Sequence, residues 1–187
     1  MKKTTKVIAA IMMIVIVFSL AACGGKKENT DGEKSAAFPG FTGTDYEGAK
    51  VDNEMFKNNA VTVLNFWFNG CSACVSEMPE LEKINKELKE KGGELIGVNA
   101  EIGLNKGLLE ESKTILSKQG ATYRNIYMDP ESEGGKYVAK ILAFPTTVLV
   151  NRKGEIVGDP IVGAINGSNR EELDKRIDEI IKADAGK

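Results

Sequence analysis

The feature that most constrains the fold is a run of β-branched and aromatic residues, 61–68, that leads directly into a helical pattern. A strand this uniformly apolar is buried on both faces, which requires layers of structure on both sides of a central sheet. The helix predicted next spans residues 71–91, and Gly92 and Gly93 end it. The sequence therefore predicts an α/β fold in which a central strand leads into the first turn of a helix.

Short β-rich runs and amphipathic stretches alternate along the rest of the chain, which is typical of an α/β domain with a central sheet. The further predicted strands are residues 94–99, 125–128, 146–150 and 155–157, and the further predicted helices are residues 108–119, 137–142 and 170–182. We assign residues 38–187 to this one domain.

Composition excludes several classes of chemistry. The chain has no histidine, which rules out Ser-His-Asp and Cys-His nucleophile pairs, histidine-ligated zinc and CxxCH haem attachment. The formal net charge is -2, and no long basic run occurs. Nucleic acid is therefore not an expected partner, because its phosphates call for a clustered positive face.

The N-terminus has the three-part layout of a secretory signal peptide, assigned to residues 1–22. Three lysines within the first six residues precede an uncharged apolar run, 7–20, which ends in two alanines. This run is shorter than the roughly 20 apolar residues that span a bilayer, which favours cleavage. The alternative is an uncleaved N-terminal anchor.

The tetrapeptide Leu20-Ala21-Ala22-Cys23 resembles the lipobox of bacterial lipoproteins. The resemblance implies that Cys23 is lipidated, and the polar stretch behind it predicts a flexible linker over residues 23–37. The domain would then be lipid-anchored at the extracytoplasmic face of the bacterial cell membrane. In that compartment the redox state of the other cysteines depends on dedicated partners.

The candidate chemistry lies at Cys71-Ser72-Ala73-Cys74, at the start of the first predicted helix. Unpaired N–H groups and the helix dipole favour an anion there, and a thiolate is such an anion. We assign Cys71 as the attacking thiol and Cys74, one turn later, as the thiol that resolves the mixed disulfide.

Two other interpretations of this cysteine pair, a structural zinc site and a stabilising disulfide, have less support. A structural zinc ion needs four ligands, and the domain offers only these two cysteines and no histidine, so no metal is expected. A disulfide that closes so small a loop constrains little of the unfolded chain and would stabilise the fold poorly.

Two motifs in the expected order resemble the TlpA/ResA-like branch of the thioredoxin superfamily. The run from Asn65 to Cys74, with Glu77 and Pro79 after it, is similar to that family's active-site segment, and the four residues 144–147 are similar to its cis-proline loop. The resemblance extends from residue 38 to about residue 182 and implies a thioredoxin-like fold with a central mixed β-sheet flanked by helices. It also implies a thiol-disulfide oxidoreductase with a redox-active disulfide between Cys71 and Cys74 and without a cofactor.

The resemblance also implies roles for single residues. Pro145 is expected to be cis, with neighbouring backbone left to pair with an extended substrate, and Glu77 is expected to tune the cysteines. The alternative for Glu77 is a solvated glutamate on the helix surface. The expected substrate-binding residues are Trp67, Phe144, Pro145 and Thr146, and for Trp67 a position in the core is the alternative to one at the active-site rim.

One position departs from the family pattern. Gly70 stands before the first cysteine, where the family usually has tryptophan. The flat wall that this tryptophan would form beside the nucleophile is therefore missing.

Several functions remain open at the level of sequence. The first is a reductant of oxidised client proteins, such as apocytochromes awaiting haem or a methionine sulfoxide reductase, which needs an upstream electron donor in the membrane. The second is an oxidant that forms disulfides. The third is a redox-inactive, lipid-anchored module that binds peptides in the cis-proline groove. A peroxidase lacks support because no threonine-containing peroxidatic loop surrounds Cys71.

Overall fold

The computed structural model of the protein describes residues 36–186. The signal peptide, the lipidation site at Cys23 and linker residues 23–35 lie outside these residues and stay predictions. The strands are β1 Ala36–Ala37, β2 Thr42–Asp45, β3 Lys50–Asp52, β4 Val61–Trp67, β5 Glu94–Asn99, β6 Asn125–Met128, β7 Thr146–Asn151, β8 Glu155–Ile156 and β9 Ile161–Val162. The α-helices are α1 Ser72–Glu90, α2 Leu109–Gln119, α3 Glu133–Val138 and α4 Gly167–Ala185, and 3₁₀ helices span Asn53–Asn58 and Lys106–Leu108.

The strands form one mixed sheet, ordered β1-β8-β7-β4-β5-β6-β2-β3, with β9 paired to β7. Strand β4 lies near the centre, parallel to β5 and antiparallel to β7. All seven of its residues are buried, as expected for a strand covered on both faces. The thioredoxin-like α/β fold predicted from the sequence is confirmed.

Alternate residues of β4 belong to two separate core clusters. Val63 and Trp67 belong to the cluster that also contains both cysteines and the apolar residues of α1 and α4. Leu64 and Phe66 belong to a second cluster that is rich in aromatic rings. This division explains why the β4 sequence is apolar at successive positions rather than at every second one.

The predicted elements differ from the observed ones mainly where elements are short. The predicted helix over residues 137–142 is wrong, because helix α3 starts at Glu133, where the Ser132 hydroxyl accepts a hydrogen bond from the Gly135 N–H at 3.0 Å. The linker prediction is wrong for its last two residues, since Ala36 and Ala37 pair with β8. Strands β2, β3 and β9 were not predicted, because their pairing is set by neighbouring strands and not by a periodic pattern within the strands themselves.

In the part of the chain that the structure describes, none of the helices combines the length and the apolar character that a bilayer span requires.

Candidate active site

The junction between β4 and α1 positions the two cysteines. Cys71 is the residue before the first turn of α1, and its Sγ accepts a hydrogen bond from the Cys74 N–H at 3.2 Å. The two sulfur atoms form a disulfide of 2.04 Å. Cys71 retains 7% of its exposure, whereas Cys74 retains 1%. Cys71, at the helix terminus, is therefore the more accessible of the two cysteines, and its role as the attacking thiol stays a prediction.

The electrostatic setting of Cys71 favours an anion. Helix α1 has 19 residues, and its first turn contains no acidic side chain. The backbone N–H groups of this turn point toward the residue before the helix and carry the positive end of its dipole. A thiolate at Cys71 would therefore be stabilised in the reduced protein.

Glu77 lies one turn beyond Cys74 and is buried, with 6% of its surface exposed. Its Oε1 accepts a hydrogen bond from Asn65 Nδ2 at 3.0 Å, and its Oε2 accepts one from the Ile165 N–H at 2.6 Å. Burial raises the pKa of the Glu77 carboxyl, and these two hydrogen bonds offset part of the rise. The alternative of a solvated surface glutamate is therefore wrong, while the tuning role stays a prediction.

Asn65 connects the active-site helix to the strand that follows the cis-proline loop. Its Nδ2 donates both to Glu77 and to Thr147 Oγ1, the latter at 3.2 Å. Asn65 is 1% exposed and Thr147 is fully buried. The strands β4 and β7 place these two residues side by side in the sheet.

The Phe144–Pro145 peptide bond is cis, as the resemblance implied. The Pro145 carbonyl accepts a hydrogen bond from the Gly163 N–H at 2.9 Å, and Thr146 Oγ1 donates to the Ala143 carbonyl at 2.8 Å. No residue in the described range 36–186 forms a hydrogen bond with the N–H or the carbonyl of Phe144. Both groups are thus available for an extended peptide, whereas the Pro145 carbonyl is already bonded and proline has no N–H.

Three of the four predicted substrate-binding residues are buried in the structure. Trp67 is 1% exposed, and its Nε1 donates to Asn125 Oδ1 at 2.9 Å, so it is a core residue that a client cannot reach. Thr146 is 5% exposed and its hydroxyl is already bonded to Ala143. Pro145 is also buried, but Phe144 is half-buried at the surface.

Phe68 occupies the space beside Gly70, where the family usually has tryptophan. A Cβ atom at Gly70 would lie 3.3 Å from the Phe68 ring. That ring also packs edge-on against Phe144, with 5.2 Å between the ring centroids. Phe68 and Phe144 thus form an aromatic pair that packs against the core cluster containing Cys71, and no sequence pattern predicted this pairing.

The residues that sequence reasoning missed are Thr147 and the backbone of Ile165. Thr147 belongs to the quoted cis-proline motif, so its position in the motif could have identified it. Ile165 contributes only an N–H group, which every residue except proline carries, so no residue type could have pointed to it.

Metal binding finds no support in the described part of the chain. Over residues 36–186, no three His, Cys, Asp or Glu side chains are grouped so that they could hold a metal ion.

The chain is similar to one protein family and to thiol-disulfide oxidoreductases of several bacteria. The Redoxin family matches residues 32–177. The thiol-disulfide oxidoreductase ResA of Halalkalibacterium halodurans is 31% identical over 145 residues, covering 78% of this chain and 75% of that protein. The ResA protein of Bacillus thuringiensis is 29% identical over 154 residues, covering 81% and 82%.

Solved structures show the same fold. The thioredoxin domain of a thiol-disulfide oxidoreductase from Bacteroides vulgatus superposes with a TM-score of 0.61 at 25% identity, covering 76% of this chain and 96% of that domain. A thiol:disulfide interchange protein from Bacteroides sp. gives a TM-score of 0.60 at 25% identity, covering 77% and 90%.

Proposed function

We propose that this chain, which belongs to the Redoxin family and is a thioredoxin-like thiol-disulfide oxidoreductase, works as a reductant of disulfides in client proteins outside the cytoplasmic membrane. The observation that carries the reducing direction is the burial of Glu77 one turn beyond Cys74. In its ionised form the Glu77 carboxyl is a negative charge close to the dithiol, which raises the pKa of the thiols and opposes the thiolate stabilisation that the helix N-terminus provides. A less stable reduced form gives up its electrons more readily, which corresponds to a more negative reduction potential.

The exchange proceeds in two displacements. The Cys71 thiolate attacks one sulfur of a client disulfide, which forms a mixed disulfide and releases the other client sulfur as a thiolate. The Cys74 thiolate then attacks Cys71 Sγ, which closes the Cys71–Cys74 disulfide and releases the second client sulfur. The client gains two electrons and two protons, and an upstream dithiol donor in the membrane restores the protein to its reduced form.

Glu77 supplies a route for one of the protons. Cys74 must lose its proton before it attacks, and its 1% exposure excludes bulk water as a ready acceptor. A carboxyl whose pKa burial has raised can accept that proton nearer to neutral pH than a solvated glutamate can. Asn65 and the Ile165 N–H hold the carboxyl in place for this role.

The surface around Phe144 supports binding of an extended apolar segment of the client. Leu142 is 97% exposed and Leu104 is 78% exposed. A groove of about 440 Å³, lined in part by Leu104, Ile141 and Phe144, lies beside this loop. A client strand that bonds to the Phe144 backbone could place an apolar side chain there.

The anchoring and the client class complete the proposal. Lipidation of Cys23 would tether the domain to the outer side of the membrane, within reach of exported proteins. Apocytochromes awaiting haem and methionine sulfoxide reductases are the client classes that combine this location with a disulfide to be reduced.

The test combines the reduction potential of the Cys71–Cys74 couple with a variant that traps the mixed disulfide. We expect the Cys71–Cys74 couple, equilibrated with glutathione or dithiothreitol buffers, to be more reducing than about −250 mV. We expect Cys74→Ser to accumulate a mixed disulfide with an oxidised client, and Cys71→Ser to form none. A potential near −120 mV would instead assign the protein as an oxidant, and disulfide exchange by Cys71→Ser would contradict the assignment of the attacking thiol.

A further inference from the structure

Asn69, two residues before Cys71, has every polar group of its side chain bonded. Its Oδ1 accepts a hydrogen bond from Asn99 Nδ2 at 3.0 Å. Its Nδ2 donates to the Leu108 carbonyl at 3.2 Å and to Glu111 Oε2 at 3.1 Å. Its backbone N–H donates to Glu101 Oε2 at 3.1 Å. A side chain with this many partners has one position relative to them.

None of these partners belongs to helix α1. Asn99 and Glu101 lie at the end of β5 and just after it, Leu108 lies in the 3₁₀ helix, and Glu111 lies in α2. The loop that leads into the active-site helix is therefore attached to a neighbouring strand and helix. Its position does not depend on the disulfide.

The partner Asn99 is itself fixed. Its Oδ1 accepts hydrogen bonds from the N–H groups of Glu101 and Ile102, and its Nδ2 also donates to Ser112 Oγ at 3.2 Å. Ser112 Oγ in turn bonds to the Tyr46 hydroxyl at 2.6 Å. Asn99 is 1% exposed and Ser112 is fully buried. Asn69 is thus attached to a buried, satisfied polar network, which makes a rigid support.

The consequence for Cys71 arises in the reduced protein. In the oxidised protein the disulfide holds Cys71 Sγ against the first turn of α1. The turn that holds Cys71 is closed by the Cys71 N–H, which donates to the Phe68 carbonyl at 3.1 Å, and this bond involves neither sulfur atom. Asn69 lies inside this turn, so its bonds fix the position of the sulfur relative to the helix N–H groups.

We propose that Asn69 is a positioning residue for the Cys71 thiolate, holding it at the N-terminus of α1 when the disulfide is open. The inference rests on the proposed attacking role of Cys71. It assigns no contact between Asn69 and the client. Without Asn69, the sulfur would move relative to the N–H groups that stabilise its charge.

The test is the pH dependence of Cys71 alkylation by iodoacetamide, measured in a Cys74→Ser background. We expect Asn69→Ala to move the midpoint to higher pH and to slow alkylation at pH 7 by about three- to tenfold. Asn69→Ser, which keeps a small polar group, should give a smaller shift in the same direction and replaces the alanine variant if that variant does not fold.

The matched control is Asn85→Ala. Asn85 is buried, whereas Asn69 is half-buried, and the Asn85 Oδ1 also accepts a hydrogen bond, from the Leu95 N–H at 3.1 Å, but Asn85 lies in the second half of α1. We expect this variant to lose stability without any change in the alkylation profile. An equal shift in both variants, or no shift in Asn69→Ala, would overturn the proposal.

A second control separates geometry from charge. The titratable groups that face this region are Glu77 on α1, Glu101 after β5, Glu111 on α2 and Tyr46 beside Ser112. Asn69→Ala removes none of them. Glu111→Gln removes a charge but keeps an acceptor for Asn69. The midpoint of Cys71 alkylation in this variant should therefore move to lower pH or stay unchanged. A shift to higher pH as large as that of Asn69→Ala would overturn the proposal.

Failure of this inference differs from failure of the proposed function. If Cys71→Ser stops exchange while Asn69→Ala alkylates like the parent, only the inference fails. If Cys71→Ser still exchanges disulfides, the attacking role itself is wrong.

Discussion

Glu77 is a buried carboxyl at the active site. It lies one turn beyond Cys74, and within residues 36–186 two hydrogen-bond donors, Asn65 and the Ile165 N–H, compensate for the lost water. The fold therefore holds the proton of Glu77 to a higher pH than the unfolded chain does. Protonation of this one group is consequently linked to stability.

The sign of that linkage gives a prediction for Glu77→Gln in the oxidised protein. Between the ordinary carboxyl pKa and the raised one, the folded state binds more protons than the unfolded state, so the stability of the wild type falls as pH rises. The glutamine variant lacks this titration. We therefore expect the difference, wild type minus variant, to decrease from pH 4 to pH 8 in urea unfolding.

Glu80 on the same helix is the matched control with the opposite sign. A hydrogen bond from Lys83 holds the pKa of the Glu80 carboxyl below its usual range. Its contribution to stability is present at neutral pH and is lost as pH falls. The difference between wild type and Glu80→Gln should therefore increase with pH; a parallel trend for both variants would contradict the assignment for Glu77.

At the scale of elements, the pairing of β5 with β6 depends on a glycine. A Cβ atom at Gly97 would lie 2.0 Å from Asn125 Oδ1. That oxygen also accepts the hydrogen bond from Trp67 Nε1. The absence of a side chain at Gly97 therefore allows Asn125 to link β6 with the central strand β4.

We expect Gly97→Ala to lower the free energy of unfolding by about 2–4 kcal/mol, because Asn125 must move and a buried indole N–H loses its partner. Trp67 is the only tryptophan of the chain, so its fluorescence reports the change directly. Gly40→Ala is the control, since nothing lies within 4 Å of a Cβ atom there. Its stability should change by less than about 0.5 kcal/mol, and an equal loss in both variants would contradict the explanation.

At the scale of the whole molecule, Arg170 links helix α4, on which it lies, to helix α1. Its guanidinium contacts Glu80 at 2.7 Å and Glu87 at 2.6 Å, both on α1, and Asp174 at 2.8 Å on α4. The Arg170 side chain is 22% exposed. A network of three carboxylates around one planar cation is stronger than an isolated surface pair.

We expect Arg170→Ala to cost about 1–2 kcal/mol in low salt and about half of that in 1 M NaCl, because salt screens the network. Lys91→Ala is the control, since the Lys91–Asp178 pair also joins α1 to α4 but is largely exposed. Lys91→Ala should lower the free energy of unfolding by less than about 0.5 kcal/mol. Chemical unfolding at both salt concentrations checks the prediction, and a salt-independent loss would contradict it.

Prediction from sequence succeeded where the determinants are local. Strand β4, the start of α1 and strand β5 follow from runs and spacings within about 20 residues, which record burial and capping directly. For Trp67 the sequence left the core and the active-site rim open, because an aromatic side chain beside an active-site motif can face either one, and only the position of Asn125 decides which. Prediction failed for strands β2, β3 and β9, whose pairing is decided by their neighbours.

The sequence by itself determined the chemistry: two cysteines at the start of a helix that follows a buried strand, a glutamate one turn later, and a cis-proline motif. The tertiary structure alone decided how that chemistry is tuned and reached. The bond from Ile165 to Glu77 spans 88 positions, and Asn69 meets partners on β5 and α2. The physical reason is that backbone N–H and carbonyl groups are common to almost all residues, so their long-range partners are set by the packing and leave no pattern in the sequence.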